Sequence, residues 1–308
     1  MNPNSSLSAD ELRQVSGSLK RAHMSDHLAT AVFYVVSGAF VLLLIAFTMY
    51  VVWGGIKAFR PEIFSFEANG IGNQFFNTVY LVFLSLVISV PIGIFAGVYM
   101  AEYAPEGRII NALRIAIETL SSLPSIVVGL FGYLVFIIMV GSQWNLFAGA
   151  LAVSVLSLPL ITATTYDALK ALPQGFKEGS LALGATHFET IWKVMLPAAI
   201  GPIVTGIILA AGRGFGEAAA LLYTAGMSTD ISWKVWDITS PVCPLNPFRP
   251  GETLSLQVWA SRTEGVGGSA ADTAAAASAV LMLMVLSFSI GARLISHYIT
   301  KKTEGEHA

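Results

Sequence analysis

Long apolar segments alternate with shorter polar ones along the chain, and six of the apolar segments are long enough to cross a bilayer. A membrane-crossing helix needs about 20 apolar residues. The six segments cover approximately residues 29–54, 76–101, 118–141, 146–167, 198–224 and 273–297. Glycine, proline, serine and threonine recur within them, which lipid tolerates only where neighbouring helices or polar groups satisfy the backbone. The pattern predicts an all-α membrane protein whose six transmembrane helices pack on one another or line a cavity.

The composition supports this prediction. Hydrophobic residues make up 55% of the 308 positions, charged residues only 12%, and the mean hydropathy is +0.69. These values exclude an ordinary soluble domain with a charged surface. The single cysteine, Cys243, excludes an intrachain disulfide and a metal site built from thiolates alone.

The basic residues predict how the helices are oriented, because cytoplasmic loops of membrane proteins accumulate lysine and arginine. With the N-terminus inside, eleven lysines and arginines fall on the cytoplasmic side and five on the other, while Arg213 lies within a span. We therefore expect both termini to be cytoplasmic. The predicted organisation is a cytoplasmic tail over 1–28 with a short amphipathic helix, a six-helix transmembrane domain over 29–302, and a tail over 303–308. Residues 167–197 form a cytoplasmic loop and residues 225–272 an external one.

The cytoplasmic loop at 167–197, here called the docking loop, carries a polar pattern that is typical of a surface for another protein. A helix, a glycine break and a second, amphipathic helix are predicted within it. The residues that carry the pattern are Glu178, Gly179, Ser180, Gly184, Ala185, Thr186, Leu196 and Pro197.

Enzyme chemistry is not indicated. Gly179 and Gly184 have the glycine spacing of a phosphate-binding loop, but Ala185 stands where the lysine must be, so this chain is not expected to hydrolyse ATP. Gly212 and Gly216 lie inside an apolar span, which favours helix packing through small residues over a dinucleotide fingerprint. We predict no catalytic residue, no metal site and no cofactor in this chain.

Two ionisable residues, Arg213 and Glu217, lie deep in the fifth predicted span. On one continuous helix their i, i+4 spacing would place them on the same face, where they partly neutralise each other. One interpretation is a structural ion pair that fixes helix packing. The other is functional, since intramembrane charges commonly mark a substrate path and a guanidinium offers a fork of donors to a tetrahedral oxyanion. Asn77, Thr78 and Ser125 are weaker candidates for the same path.

The spacing in the docking loop resembles the EAA loop of the permeases of binding-protein-dependent ABC importers. The residues that carry the resemblance are Glu178, Gly184 and the pair Leu196-Pro197, with nine residues between Gly184 and Val194. Gly179 and Ser180 depart from the alanines that are usual there. The resemblance implies the type I importer (MetI-like) permease fold and a loop that docks on an ATPase subunit.

Further motifs resemble the phosphate-specific permeases in particular, and the short N-terminal tail resembles their A-type subunit. The motifs are Asn77-Thr78, Tyr99 to Ala104, Pro124 to Phe131, Gly184 to Thr186 and Gly212 to Glu217. In that family an arginine and a glutamate at the positions of Arg213 and Glu217 are implicated in the phosphate path. Ala218-Ala219-Ala220 departs from the Thr-Ala-Pro that often follows the glutamate.

The resemblance implies a complex in a bacterial cytoplasmic (inner) membrane. Its other members would be two copies of an ABC ATPase that binds ATP and Mg, a second permease of C type, and an external phosphate-binding protein. Membrane lipid is an expected contact and nucleic acid is not. Two alternatives stay open: a permease for another oxyanion such as molybdate or sulfate, and a non-transporting membrane scaffold whose loop recruits a cytoplasmic protein.

Overall fold

The computed structural model describes residues 9–67, 70–105, 107–263, 265 and 268–305, and within these ranges the regular elements are all helical. The α-helices are α1 (Ala9–Ala58), α2 (Gly72–Val98), α3 (Arg108–Ser122), α4 (Ser125–Gly132), α5 (Leu146–Lys170), α6 (Gln174–Ala182), α7 (His187–Thr190), α8 (Leu196–Ala198), α9 (Ile200–Gly216), α10 (Ala219–Thr224), α11 (Leu254–Thr263) and α12 (Gly268–Gly305). Short π-helical stretches continue α2, α4 and α7 over Tyr99–Tyr103, Tyr133–Met139 and Ile191–Met195, and a 3₁₀ turn covers Pro61–Phe64. The all-α prediction is confirmed.

In the part of the chain that the structure describes, four uninterrupted helices are long and apolar enough to cross a membrane, and the number rises to six if each of two bent helix pairs is one span. The uninterrupted spans are His23–Ala58, Gly72–Tyr103, Leu146–Lys170 and Ala270–His297. The bent pairs join Arg108–Ser122 to Ser125–Met139 at 97° and His187–Ala198 to Ile200–Gly216 at 69°. The predicted span 118–141 is therefore not one straight helix. Pro124 disfavours helical backbone at Leu123, which is extended (ψ 132°), and the chain turns there.

The chain divides into two compact units, residues 1–51 and 52–308. In the first unit, the short separate helix predicted within the tail 1–28 is wrong, because α1 runs without a break from Ala9 into the first span. Ser8, the predicted capping residue of that helix, lies outside the described residues, as do residues 306–308 of the predicted tail 303–308. Helix α12 continues three residues past the predicted domain boundary at 302.

The core of the second unit is the pair α2 and α5, which approach closely through small residues. A Cβ added at Gly93 would overlap Ile161, and one added at Gly97 would overlap Thr165. Glycines four residues apart lie on one helix face, so this spacing lets two backbones meet along a full turn. Helix α2 therefore packs closely against α5 along this face.

Residues 225–263 and 265, here called the outer segment after the side of the membrane on which the sequence predicts them, lie at the end of the second unit away from the docking loop. The Asn145 backbone N–H donates to the Thr224 carbonyl (3.0 Å) at this end, where α5 begins and α10 ends. Helix α11 forms within the region that the sequence predicts as loop 225–272, and buried Leu254 joins the apolar cluster formed with Ala276 and Ala277 of α12. The region is a folded layer rather than an open loop.

Candidate functional site

Arg213 lies in the last turn of α9, about 20 Å along the helix from Ile200 at 1.5 Å per residue. Its side chain is exposed in the single chain. Its Nη1 lies 3.5 Å from the Leu156 carbonyl oxygen of α5, which is a long distance for a hydrogen bond. A bond of this length is weak. The guanidinium therefore keeps most of its donors available for a group that is not part of this chain.

The predicted pairing of Arg213 with Glu217 is wrong for this structure. The ion pairs found among the described residues do not include these two side chains. The reason is a break in the helix: α9 ends at Gly216, and the backbone of Glu217 is extended (φ −72°, ψ 124°). The i, i+4 geometry that would bring the two groups together needs continuous helix. The predicted span 198–224 is accordingly two helices, α9 and α10.

Glu217 stabilises this break. Its side chain is buried (8% exposed), and Oε1 accepts a hydrogen bond of 3.0 Å from the Ala220 backbone N–H at the start of α10. Its carbonyl oxygen, which has no helical partner, accepts a bond of 2.5 Å from the Ser255 hydroxyl of α11. A buried carbonyl without a partner would be costly. Glu217 thus caps α10 and joins the end of α9 to the outer segment.

The face of α9 that carries Arg213 is open in this chain. A Cβ built at Gly212 or Gly216 would have no neighbouring atom within 4 Å. The packing predicted for these two glycines is therefore not made within the described residues of the second unit. Pro202, Thr205 and Leu209 are also exposed and, with Arg213, follow a helical spacing of three to four residues. Together these positions form one continuous exposed stripe along α9.

Asn77 and Thr78 are fully buried, and both hold the outer segment. Asn77 Nδ2 donates to the Glu252 carbonyl (2.9 Å), and its Oδ1 accepts from Arg249 Nη2 (2.6 Å). Thr78 Oγ1 donates to the Gln74 carbonyl (2.7 Å) and accepts from the Leu254 backbone N–H (2.9 Å). In this conformation both side chains are buried beneath the outer segment, so neither is exposed to a passing anion.

Arg249 organises the outer segment, a role that no pattern in the sequence indicated. It is 1% exposed, and its guanidinium donates to Asn77 and to the carbonyls of Cys243, Pro244 and Pro250. Burial lowers the pKa of Arg249 to about 10, so the group stays charged near neutral pH. A buried cation surrounded by four acceptors fixes the fold of the turn that supplies them.

Glu252 is a second buried ionisable group near Arg249, at 4% exposure. Gln74 Nε2 donates to its Oε2 (3.0 Å), but burial outweighs this bond and raises the pKa of Glu252 to about 7. The folded protein therefore binds this proton more tightly than the unfolded chain does. The resulting stability is fully present below the ordinary pKa of about 4.5 and is lost as the pH rises through 7.

We therefore expect the protein to be less stable at pH 8.5 than at pH 5.5, by an amount on the order of 2 kcal/mol. Glu252→Gln keeps the size and the acceptor without the charge, so its stability should change much less over the same range. Thermal unfolding of both proteins in detergent would measure this. An equal loss of stability in Glu252→Gln would show that another group is responsible.

Ser125 is half-buried at the first turn of α4, directly after the bend at Pro124. It does not share the hydrogen-bonded layer that contains Asn77 and Thr78. Its predicted place on a substrate path stays a prediction.

The docking loop has the predicted helix, glycine break and second helix. Helix α6 carries Glu178 and Gly179, both exposed, and Ser180, whose hydroxyl lies 2.9 Å from that of Thr190. Gly184 has a positive φ of 88°, a conformation that glycine adopts without steric cost. After Ala185, Thr186 caps α7 through a capping box with Glu189. Leu196 packs on the apolar core around Met195, while Pro197 is exposed.

Sequence reasoning missed the apolar residues that the docking loop exposes. Leu183 is 91% exposed at the turn between α6 and Gly184, and Phe188 is 62% exposed on α7. Phe176 and Leu181 of α6 are also exposed. An exposed apolar patch with a polar rim marks an interaction site. The periodic pattern could not reveal it, because a leucine in a turn is equally compatible with burial.

Comparison with known proteins gives one family. Residues 89–304 match the family described as binding-protein-dependent transport system inner membrane component. The probable ABC transporter permease protein YqgI of Bacillus subtilis is 40% identical over 91% of this chain and 97% of its own length. The phosphate transport system permease protein PstA of Xylella fastidiosa is 32% identical, covering 74% of this chain and 75% of its own.

Among solved structures, an inward-facing MetNI methionine ABC transporter covers 79% of this chain and 100% of its own, with a TM-score of 0.55 and 17% identity. At this identity the likeness shows the fold alone. The all-α fold is that of the type I (MetI-like) importer permeases.

Proposed function

This chain belongs to the family of binding-protein-dependent transport system inner membrane components, and we propose that it is the permease subunit through which an ATP-driven importer carries inorganic phosphate into a bacterium. The chain does not hydrolyse ATP, and a separate ATPase does so. The observation that carries the anion assignment is the exposed guanidinium of Arg213 on an apolar helix. A charge inside a membrane is costly, and it is retained where it contacts substrate or a partner.

Two aspects of the resemblance to phosphate-specific permeases favour phosphate over other anions. Relatives named for phosphate transport are 32% identical over about three quarters of this chain, as in Xylella fastidiosa (74%). The motif Gly212 to Glu217 resembles the phosphate-specific permeases, and a guanidinium binds tetrahedral oxyanions through parallel hydrogen bonds. In this proposal Arg213 contacts the anion, and Glu217 positions it by maintaining the break after Gly216.

Three kinds of partner complete the proposed importer. Two copies of an ABC ATPase, which bind ATP and Mg, dock on the loop of this chain and on that of a second, C-type permease. The second permease covers the exposed stripe of α9, where Gly212 and Gly216 allow close approach. An external phosphate-binding protein docks on the outer segment, where Trp236, Ile238 and Phe248 are exposed.

The proposed location is the bacterial cytoplasmic membrane, with both termini and the docking loop in the cytoplasm. The basic residues of the docking loop, including Lys170, Lys177 and Lys193, support this orientation. Exposed apolar side chains of α1, such as Phe33 and Leu42, are suited to contact lipid. ATP binding closes the ATPases, moves the docking loops and switches the path between inward and outward access.

Purification of the membrane complex followed by uptake assays tests this function. We expect a P-loop ATPase and a second permease to co-purify, and the complex in vesicles to import labelled phosphate when ATP and the binding protein are present. Excess unlabelled phosphate should abolish the uptake, while sulfate and molybdate should not. Competition by sulfate or molybdate at equal concentration would assign another oxyanion. Co-purification of a partner without an ATPase would instead favour the scaffold alternative.

A further inference from the structure

One carboxylate joins the docking loop to α2. Glu102 lies in the π-helical stretch that continues α2, and its side chain is only 6% exposed. Its Oε2 lies 2.6 Å from Lys177 Nζ of α6 and 3.3 Å from His187 Nε2 of α7. The His187 ring also packs edge-on against Tyr103, with the ring centroids 5.1 Å apart. Both helices of the loop therefore converge on a single acceptor of α2.

This contact differs from the other ion pair of the loop. Glu189 and Lys193 are i, i+4 neighbours within the loop, and their side chains are 41% and 72% exposed. An exposed pair of this kind contributes little, and it does not reach α2. Ile191 and Met195 of the loop share an apolar cluster with Val98 and Met100 of α2 and its continuation, but apolar packing is non-directional. Glu102 provides a directional, largely desolvated link.

Helix α2 continues this link to the other end of the molecule. It packs on α5 through Gly93 and Gly97 and, at its first turns, holds the outer segment through Asn77 and Thr78. The outer segment holds the α9–α10 break through the hydrogen bond from Ser255 to the Glu217 carbonyl. A continuous series of packed and hydrogen-bonded groups thus leads from Glu102 to the helix end that carries Arg213.

We propose that Glu102 is the positioning residue through which movement of the docking loop is passed to α2 and, from there, to the substrate path. The π-helical geometry at Tyr99–Tyr103 fits this role, since such bulges interrupt the regular ladder and occur at functional sites. The proposal rests on the function proposed above. It predicts that loss of the link uncouples ATP hydrolysis from transport without dissociating the subunits.

The decisive measurement is the ratio of phosphate imported to ATP hydrolysed by the whole complex in vesicles. In Glu102→Gln, the ratio should fall at least about tenfold while ATP hydrolysis stays within about twofold of the wild-type rate. Lys177→Met removes the partner from a partly exposed position, which makes it the variant less prone to misfold, and it should lower the ratio in the same direction. The double variant should be no worse than Glu102→Gln alone, because the two changes remove one interaction.

Glu189→Gln is the matched control, because it removes an exposed charge of the same loop that does not contact α2, while its amide oxygen can still accept from Thr186 in the capping box. Its ratio should equal that of the wild type. A purely structural role for Glu102 would lower the yield of complex but leave the ratio of the assembled fraction unchanged. An unchanged ratio in both Glu102→Gln and Lys177→Met overturns the proposal.

Failure of the proposed function has a different signature, namely a wild-type complex that neither imports phosphate nor hydrolyses ATP in response to it. Hydrogen exchange then still tests the link. Amides of residues 174–182 should exchange at least about tenfold faster in the Glu102→Gln complex than in the wild type, while the Glu189→Gln complex should match the wild type over this range. Equal exchange in Glu102→Gln and wild type would refute the link itself.

Discussion

Arg213→Ala is expected to abolish phosphate uptake by the assembled importer while leaving its assembly intact. Among the described residues, the guanidinium makes one weak hydrogen bond, of 3.5 Å. Removing it should therefore break no strong interaction within the permease. Charge-assisted hydrogen bonds contribute about 1.5 to 3 kcal/mol each. Loss of a two-bond fork to the anion should therefore lower uptake at least about 100-fold. Uptake of labelled phosphate into vesicles measures the loss, and co-purification of the subunits measures assembly.

Three further variants separate the role of Arg213 from general effects of charge. Arg213→Lys keeps the charge but not the fork, and should retain a small part of the uptake. Glu217→Gln should be nearly neutral, because its amide oxygen can still accept from the Ala220 N–H; a strong loss would instead support the ion pair. Arg262→Ala removes an exposed arginine of α11 and should have no effect. Full phosphate uptake by Arg213→Ala would contradict the proposal that Arg213 contacts the transported anion.

Leu183→Asp is expected to release the ATPase from this permease. Leu183 is 91% exposed, and burying a leucine side chain in a partner contributes about 1.5 to 3 kcal/mol. Leu183→Ala should thus weaken ATPase binding by about 30-fold for a loss of about 2 kcal/mol. Leu183→Asp should weaken it further, because a carboxylate would be desolvated in an apolar cleft. Titration of purified ATPase onto the permease in nanodiscs measures both affinities.

Leu183→Met is the matched control for this position, since it conserves apolar volume and should bind the ATPase almost as the wild type does. None of these changes should alter the thermal stability of the isolated permease, because the side chain packs on little of this chain. Wild-type affinity in Leu183→Asp would place the ATPase contact elsewhere on the loop, with the exposed Phe188 as the next candidate.

The docking loop shows how far sequence alone could predict a site. Gly184 was expected to break the loop between two helices, and its φ of 88° confirms the break. The capping box at Thr186 is likewise a local pattern that the structure contains. The link from Lys177 and His187 to Glu102 could not be predicted, because 75 and 85 residues separate the partners along the chain. No local pattern reports which distant carboxylate a lysine will meet.

The α9–α10 break shows the opposite case, in which a local pattern was misleading. Hydropathy is continuous from 198 to 224, so sequence reasoning predicted one helix and placed Arg213 and Glu217 on a common face. Instead, the Ser255 hydroxyl of the outer segment satisfies the free carbonyl of Glu217, and the Glu217 side chain caps α10. Ser255, which satisfies the carbonyl freed by the break, lies 38 residues further along the chain.

The sequence by itself determined the class of the protein, the approximate positions of its four uninterrupted spans and the presence of an arginine among apolar helices, because transfer of side chains into lipid is a property of composition and period. The tertiary structure alone decided which polar groups are free and which are bound. Asn77 and Thr78 are occupied by the outer segment, Arg249 and Glu252 are buried within it, and Arg213 stays open. Hydrogen bonds and ion pairs join groups that only folding brings within about 3 Å of each other.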